Sequence, residues 1–109
     1  MEKDADIIIV GGGLNGPALA LAVAQAGLRV VVVDARQPDA RAETGFDGRA
    51  YALSIASKRL LGAIGVWGDL ADKVQPILQI KASDGVAGQR PAPFFLTFDH
   101  AELEEGPMG

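Results

Sequence analysis

The residues best suited to chemistry in this chain are three spaced glycines and an acid. Gly11, Gly13 and Gly16 follow the spacing G-x-G-x-x-G. In such a turn the first glycine allows a tight bend, the second lets a diphosphate approach the backbone, and the third lets a helix pack closely on a strand. Asp34 stands 18 residues after Gly16, where a carboxylate can accept hydrogen bonds from a ribose diol. These four residues predict a dinucleotide site.

The elements that must hold these residues flank the glycine turn. Residues 7–10 are β-branched without interruption and residues 30–33 are all valine, so both runs predict strands of a parallel sheet buried on both faces. Residues 14–26 are mostly good helix formers, with Pro17 in the first turn, and Gly27 predicts the helix end. The start of that helix would direct N–H groups and the positive end of its dipole at an anion. The stretch predicts a nucleotide-binding βαβ unit.

Two other interpretations of this stretch remain open. One is an α/β domain whose tight strand-to-helix turn binds nothing. The other is a membrane span, because residues 7–28 carry no charge over 22 positions and a span needs about 20. Strand-like ends around an alanine-rich centre argue against a span, as do the residues that interrupt the run, Gly11, Gly12, Gly13, Asn15 and Pro17. Residues 1–6 contain one lysine and three acids, which is the wrong charge for a signal peptide.

The composition argues against several kinds of site and partner. The chain has 109 residues, of which 49% are hydrophobic, a net charge of −4, one histidine and no cysteine. It therefore has no disulfide, thiolate metal site or cysteine nucleophile, and a single histidine argues against a metal cluster. The acidic balance, without a cluster of Lys and Arg, argues against nucleic acid as a partner. We expect a cytoplasmic protein without a transmembrane segment.

The middle of the chain predicts a loop and two helices. Residues 35–48 show no periodicity and predict an exposed loop. Residues 54–64 predict an amphipathic helix that ends at Gly65, because apolar residues recur at helical spacing, namely Leu53, Ala56, Leu60, Leu61 and Ile64. Residues 69–74 predict a short helix. Trp67 is interpreted as a packing residue, with a stacking platform as the alternative.

The last third of the chain predicts an antiparallel hairpin. Residues 78–83 and 94–99 alternate between apolar and polar with a period of two, and a connection rich in glycine and proline joins them. Such a hairpin does not belong to a parallel nucleotide sheet, so we predict a domain transition near Pro76. The predicted class is α/β, with an incomplete Rossmann-like βαβ unit, a helix and a hairpin. We expect the N-terminal part of a longer protein, since a third parallel strand is not evident.

Two motifs together resemble a known family. The sequence GGGLNGPALALAVAQAGLRVVVVD, residues 11–34, resembles the opening of flavin enzymes of the glutathione-reductase type. Residues 47–67, DGRAYALSIASKRLLGAIGVW, resemble the segment that follows in FAD-dependent aromatic hydroxylases of ubiquinone biosynthesis, in the para-hydroxybenzoate hydroxylase group. Their D-x-R-x-x-A-L pattern is more specific than the glycine turn. The closing GPMG is similar to a stretch at the start of that family's substrate region.

The resemblance implies roles for a few residues and assigns no catalytic residue. The three fingerprint glycines would cradle the FAD diphosphate, and Asp34 would bind the adenosine ribose. Arg49 would approach the cofactor from the following loop as a multiple donor, with a solvated arginine as the alternative. For Asp47 a local turn or cap role is preferred over a cofactor contact. His100 and the acids around it are interpreted as solvated.

The activity that the resemblance implies is hydroxylation of an aromatic substrate, a polyprenylated phenol, by an FAD-dependent monooxygenase using NAD(P)H and O2. Residues 1–76 would begin its FAD-binding domain, and residues 77–109 would begin a truncated substrate domain. We expect the 109 residues by themselves to be inactive and to self-associate through open sheet edges. A peripheral membrane contact of the full enzyme remains an open alternative.

Two alternatives to the hydroxylase remain. One is another flavoenzyme of the superfamily, such as a reductase, cyclase or halogenase, and the other is a nucleotide-binding module without chemistry. Asp34 departs from the family pattern, which more often has Glu at this position. The shorter acid leaves a nicotinamide cofactor as an alternative to FAD.

Overall fold

The computed structural model of the chain describes residues 2–42, 45–46, 48–93 and 95–109, and of residues 41 and 42 the backbone alone. The chain forms two compact units, Met1–Ala50 and Tyr51–Gly109. Helices alternate with a small parallel sheet in the first unit, and an antiparallel pair of strands lies in the second. This mixture of elements confirms the α/β class.

The first unit is built on two parallel strands joined by a helix. Strand β1 spans Ile7–Val10, helix α1 spans Asn15–Gln25, and strand β2 spans Val30–Val33. The strands pair in register from Ile7 opposite Val30 to Val10 opposite Val33. All three elements lie within one residue of the predicted bounds, because uninterrupted β-branched runs and an alanine-rich centre are strong local signals.

Helix α1 ends at the glycine that the sequence indicated. Gly27 has a φ of 90°, a left-handed conformation that costs glycine little. Its N–H donates to the Ala24 carbonyl at 2.9 Å, and the Leu28 N–H donates to the Val23 carbonyl at 3.2 Å. This pair of bonds is the Schellman motif, which satisfies carbonyl groups at the end of the helix.

The expectation of a sheet buried on both faces is not met within this chain. Ile9 is buried with 9% of its surface exposed, whereas Val10 is 85% exposed and Val33 is 50% exposed. The physical reason is the number of layers. Among the described elements of this unit, α1 is the one that packs substantially on both β1 and β2, and a single helix can cover a single face of two strands.

A short helix interrupts the region predicted to be an exposed loop. Helix α2 spans Pro38–Ala42, with Asp39 in its first turn. The prediction treated Pro38 as a loop residue, but proline is also favoured at the first position of a helix, where its missing N–H costs nothing. Residues 43, 44 and 47 lie outside the described residues, so the predicted turn or cap role of Asp47 stays a prediction.

The second unit begins with helix α3, which spans Ile55–Ala63. The Ser54 hydroxyl caps it by accepting a hydrogen bond from the Ser57 N–H at 3.2 Å. Gly65, with a φ of 83°, follows its end, and the Val66 N–H donates to the Leu61 carbonyl at 2.8 Å. The predicted helix and its glycine stop are confirmed.

The inward face of α3 differs in part from the predicted apolar stripe. Ile64 is buried at 7% exposure, but Leu60 is 49% exposed and Ala56 is also exposed. Helical periodicity defines a stripe about 100° wide, and which part of that stripe is covered depends on the neighbouring elements. Beyond α3 the chain forms a 3-10 helix at Trp67–Asp69, so the short helix predicted at residues 69–74 was placed too late.

The antiparallel hairpin is confirmed. Strand β3 spans Gln79–Ser83 and strand β4 spans Phe95–Asp99, paired from Gln79 opposite Asp99 to Ser83 opposite Phe95. The Ala92 N–H donates to the Asp84 carbonyl at 2.8 Å and continues the pairing into the connection. Phe94 lies outside the described residues, and the domain boundary near Pro76 stays a prediction.

The last residues of the chain are tied to two earlier segments of the second unit. The Ile77 N–H donates to the Gly109 carbonyl at 2.8 Å, and the Met108 N–H donates to the Ile77 carbonyl at 3.1 Å. The Ile55 N–H donates to the Met108 carbonyl at 3.0 Å. The segment GPMG therefore bridges the start of α3 and Ile77, two residues before β3, an arrangement that no local pattern predicted.

Candidate nucleotide-binding site

The glycine turn lies at the carboxyl end of β1, directly beside the end of β2. Gly11 has a φ of 111°, a conformation that side chains other than glycine rarely adopt. Its N–H donates to the Val33 carbonyl at 2.7 Å. This bond extends the parallel ladder by one residue, so the residues after β1 and after β2 leave the same edge of the sheet together. The carboxyl edge of a parallel sheet is where nucleotides bind.

Gly16 marks the closest approach between helix α1 and the turn. A Cβ atom added there would overlap the Gly11 carbonyl oxygen and would lie 3.4 Å from the Ile9 Cγ2 atom. Only a glycine leaves room for α1 to pack this closely on β1. The geometry is the one that the third glycine of the fingerprint provides.

Gly13 and the start of α1 present open backbone to solvent. Apart from Gly13 itself and its two chain neighbours, no described residue has a heavy atom within 4 Å of a Cβ atom added at Gly13. Leu14, the residue before α1, makes no side-chain capping bond, and the first turn contains no acidic residue. The first N–H groups of a helix have no partner within the helix, so this end of α1 offers donors and positive dipole charge to an anion.

Asp34 follows β2 and its side chain lies against the glycine turn. Its Oδ1 atom accepts a hydrogen bond from the Arg36 N–H at 3.2 Å. A Cβ atom added at Gly12 would overlap the Asp34 carboxylate and would lie 3.0 Å from its Cγ atom. The structure therefore brings the predicted acid together with the predicted turn, although Asp34 stands 22 residues after Gly12 in the sequence.

Gly12 belongs to this arrangement and was missed by the sequence reasoning. The fingerprint allows any residue between its first two glycines, so Gly12 carried no assigned role. The available signal was the run of three consecutive glycines in a chain with an acid at the end of the next strand. That signal becomes specific only when the register of β1 and β2 is known.

The described residues fit the adenosine diphosphate end of a dinucleotide cofactor. Open backbone at Gly13 and the first turn of α1, which has no side-chain cap and no acidic residue, suit a diphosphate, since a Cβ or an acidic side chain there would oppose it. The Asp34 carboxylate, on the same edge, suits a ribose diol. Diphosphate and ribose are consecutive groups in FAD, so one turn and one acid match both.

Arg49 is exposed and lies in a segment without helix or strand, at the end of the first unit. Its predicted approach to the cofactor stays a prediction. Trp67, in the second unit, is half-buried, and the Lys58 Nζ atom lies 5.2 Å from the centre of its ring. A cation at this distance is attracted to the ring face, so one face of Trp67 is already engaged within this unit.

The ionisable groups with shifted pKa values serve the fold rather than the site. The pKa of Asp6 is lowered, first by the Arg29 guanidinium and then by the Arg29 backbone N–H. The pKa of Asp99 is lowered by the Ala101 N–H and by the Gln79 side-chain amide. Both carboxylates accept hydrogen bonds that favour their charged form. They fix the entry to β1 and the exit from β4.

His100 lies in a 3-10 helix at His100–Glu102. Its N–H donates to the Leu78 carbonyl at 2.9 Å, so the residue continues the hairpin through its backbone. Among the described residues, no group of three or more His, Cys, Asp or Glu is arranged to hold a metal ion. Within the same part of the chain, no helix is long and apolar enough to cross a membrane.

Comparison with known proteins adds an independent line of evidence. The FAD dependent oxidoreductase family matches residues 6–85 of the chain, which contain the glycine turn, Asp34 and α3. The ubiquinone hydroxylase UbiL of Rhodospirillum rubrum is 46% identical over 108 residues, which are 99% of this chain and 24% of that protein. The motifs at residues 11–34 and 47–67 therefore indicated the correct relatives.

Two further relatives agree with this assignment. The 3-demethoxyubiquinol 3-hydroxylase of Escherichia coli is 46% identical over 67 residues, which are 61% of this chain and 17% of that protein. The kynurenine 3-monooxygenase of Christiangramia forsetii is 33% identical over 79 residues, 71% of this chain and 17% of that protein. The chain thus spans about a quarter or less of the length of these relatives. Since the family match covers most of its residues, the chain belongs to the FAD dependent oxidoreductase family.

Proposed function

We propose that this chain belongs to an FAD-dependent monooxygenase that hydroxylates an aromatic precursor of ubiquinone, a polyprenylated phenol. The observation that carries the proposal is the 46% identity to UbiL over 99% of the chain. The similarity extends past the glycine turn into α3 and the hairpin, which a shared nucleotide motif alone would not require. NAD(P)H is the proposed reductant and O2 the oxidant.

In this proposal the first unit opens a Rossmann-like FAD-binding domain. Gly13 and the first turn of α1 bind the diphosphate, because their backbone is open and carries no acidic neighbour within that turn. Asp34 accepts hydrogen bonds from the adenosine ribose. Gly11 and Gly16 act by shape, the first through its positive φ and the second through the close approach of α1. Arg49 adds a cationic donor from the following loop.

These residues bind and orient the adenosine end of the cofactor and leave the redox step to its ring. FAD, when bound, supplies electron transfer from NAD(P)H and activation of O2 for insertion into the aromatic ring. We place the protein in the cytoplasm, with a peripheral membrane contact through which it reaches a polyprenylated substrate.

The proposal is tested by exchanging this chain into a relative. The 108 matching residues of Rhodospirillum rubrum UbiL are replaced by this chain, and the purified chimera is assayed for bound FAD and for hydroxylation of the ubiquinone precursor. We expect a yellow, active chimera, with FAD lost in Gly13→Ala because a Cβ would enter the space of the diphosphate. Gly62→Ala, in an exposed position of α3, is the matched control and should keep its FAD.

The result also separates the alternatives. A chimera that binds FAD and oxidises NAD(P)H without forming a hydroxylated product would favour another flavoenzyme of the superfamily. A folded chimera without FAD would contradict the proposal outright. One relative is a kynurenine 3-monooxygenase, so kynurenine is the second candidate substrate. The chimera is therefore also assayed with kynurenine.

A further inference from the structure

We propose that Gly12 is a positioning residue for the Asp34 carboxylate, and that the missing side chain at Gly12 sets where the adenosine ribose binds. The identity of the ligand rests on the proposed function, whereas the contact between the two residues does not. Gly12 has no place among the three fingerprint glycines, and its role here follows from what lies next to it.

The contact involves three side-chain atoms of Asp34. A Cβ atom added at Gly12 would overlap Asp34 Oδ2 and would lie 3.0 Å from Cγ and 3.1 Å from Cβ of Asp34. Atoms of this kind do not normally approach closer than about 3.5 Å. An alanine at position 12 therefore cannot coexist with the observed position of the carboxylate.

The backbone of Gly12 does not itself require a glycine. Its φ lies outside the left-handed region, in contrast to the φ of 111° at Gly11. The φ at position 12 is therefore compatible with a side chain, and the three atoms nearest to an added Cβ all belong to the Asp34 side chain. This separates Gly12 from Gly11, where any side chain is strained, and from Gly16, where a Cβ would overlap backbone.

The Asp34 carboxylate is held from its other side by the backbone that follows it. The Arg36 N–H donates to Asp34 Oδ1 at 3.2 Å. The carboxylate thus lies between this donor and the bare Cα of Gly12. Because the side chain of aspartate is short, a Cβ at position 12 must displace the carboxylate and break its bond with the Arg36 N–H before it disturbs the strands.

The contact itself is tested without any ligand, by NMR of the full chain. The readout is the exchange rate and chemical shift of the Arg36 amide in wild type, Gly12→Ala, Asp34→Ala, the double variant and the control Gly13→Ala. We expect exchange about tenfold faster in Gly12→Ala and in Asp34→Ala, the size of one lost hydrogen bond. Gly13→Ala, where a Cβ meets open space, should leave this amide unchanged.

The double variant makes the inference specific. With Asp34 already removed, Gly12→Ala should change the Arg36 amide by less than about twofold, because residues that act through one contact are not additive. If the Arg36 amide keeps its wild-type exchange rate in Gly12→Ala, or if Gly12→Ala acts equally with and without Asp34, the inference is wrong.

Binding of ADP to the UbiL chimera freed of its FAD, measured by calorimetry, tests the consequence for the ribose. Gly12→Ala and Asp34→Ala should each weaken ADP binding about tenfold, and their effects should not be additive in the double variant. Gly13→Ala, which acts at the diphosphate, should add to Asp34→Ala. If the chimera without these substitutions does not bind ADP, the proposed function is at fault while the Arg36 amide still decides the role of Gly12. If ADP binds and Gly12→Ala leaves its affinity unchanged, the positioning role is refuted.

Discussion

At the scale of single residues, the first unit is stabilised by one guanidinium that reaches the chain entering β1. Arg29, just before β2, donates through Nη2 to Asp6 Oδ1 at 3.1 Å and through Nε to Asp6 Oδ2 at 3.3 Å. Its backbone N–H donates to the same carboxylate at 2.9 Å, and its Nη1 donates to the Lys3 carbonyl at 2.6 Å. These bonds hold the amino ends of β1 and β2 in register, at the edge opposite the glycine turn.

The interaction between Arg29 and Asp6 predicts a pH dependence of stability. The folded-state pKa of Asp6 is lowered, so its contribution is present above the ordinary value of about 3.9 and is lost as the pH falls through the folded-state pKa. We expect Asp6→Asn to reduce the free energy of unfolding at pH 7 and to flatten its decline as the pH falls below the ordinary pKa of aspartate.

The measurement is urea denaturation at several pH values, in which a probe within the first unit monitors unfolding. Asp4→Asn removes the same charge from an exposed position two residues away and serves as the control. If the free energy of unfolding has the same pH profile in wild type and Asp6→Asn, the interaction between Arg29 and Asp6 does not act through the ionised carboxylate. Because the groups are exposed, added salt should shrink the difference.

At the scale of elements, the ends of the helices are set by local chemistry. Both α1 and α3 finish in the same pattern of two backbone bonds around a glycine with positive φ, at Gly27 and at Gly65. The start of α3 is capped by Ser54, whereas the start of α1 has no side-chain cap. The difference is functional in our proposal, because a cap would occupy donors that the diphosphate needs.

Helix α3 contains one glycine whose replacement should stabilise the protein. Gly62 lies within α3, is exposed, and has open space where a Cβ would be added. Alanine is preferred to glycine inside a helix by about 0.5–1 kcal/mol. We therefore expect Gly62→Ala to raise the free energy of unfolding of the second unit by about that amount in urea denaturation.

The matched variant is Gly65→Ala at the end of the same helix. Gly65 also has open space around it, but its φ is 83°, so alanine there is strained by about 1–2 kcal/mol. Opposite signs for the two variants are expected. A loss of stability in Gly62→Ala would contradict this prediction. It would mean that α3 is not the helix that limits unfolding of this unit, or that another group contacts position 62 in solution.

At the scale of the whole molecule, the chain buries few apolar side chains. Among the described residues, Ile9 and Ile64 are the buried apolar ones, while Val10 is 85% exposed and Leu96 is 67% exposed. In the part of the chain that the structure describes, each of the two sheets has two strands, so each of these strands keeps an open edge. Open edges with apolar side chains are templates for pairing with other strands.

We accordingly predict that the chain by itself self-associates in solution. Light scattering over a range of concentrations should show species larger than a monomer. Val10→Lys places a charge on an exposed apolar position and should reduce association, whereas Gln37→Lys adds the same charge at an exposed polar position and should not. A stable monomer at every concentration would refute this prediction.

A second prediction at this scale concerns the cofactor. The described features that match FAD serve its adenosine diphosphate end, so we expect the chain by itself to bind FAD weakly or not at all and to show no hydroxylase activity. The measurement is a titration followed by flavin fluorescence, with Gly13→Ala as the control. Tight binding that Gly13→Ala abolishes would show that the glycine turn is sufficient.

The sequence by itself determined the features that depend on neighbours a few residues apart. The β-branched runs of β1 and β2, the glycines after α1 and α3, and the alternation in the hairpin are local signals, since strand and cap preferences act over short stretches. The glycine spacing with Asp34 likewise indicated a nucleotide site. The proline of α2 was misinterpreted because the same residue can begin a helix or interrupt one.

Only the tertiary structure decided what depends on register and packing. The exposure of Leu60 follows from the elements around α3, and the bond between the Ile55 N–H and the Met108 carbonyl joins segments that are far apart in the sequence. The contact between Gly12 and Asp34 exists because β1 and β2 pair as Val10 opposite Val33, which brings the next residue of each strand to one edge. A shift of one residue would turn the side chains to the opposite face, so the register decides which glycine meets the acid.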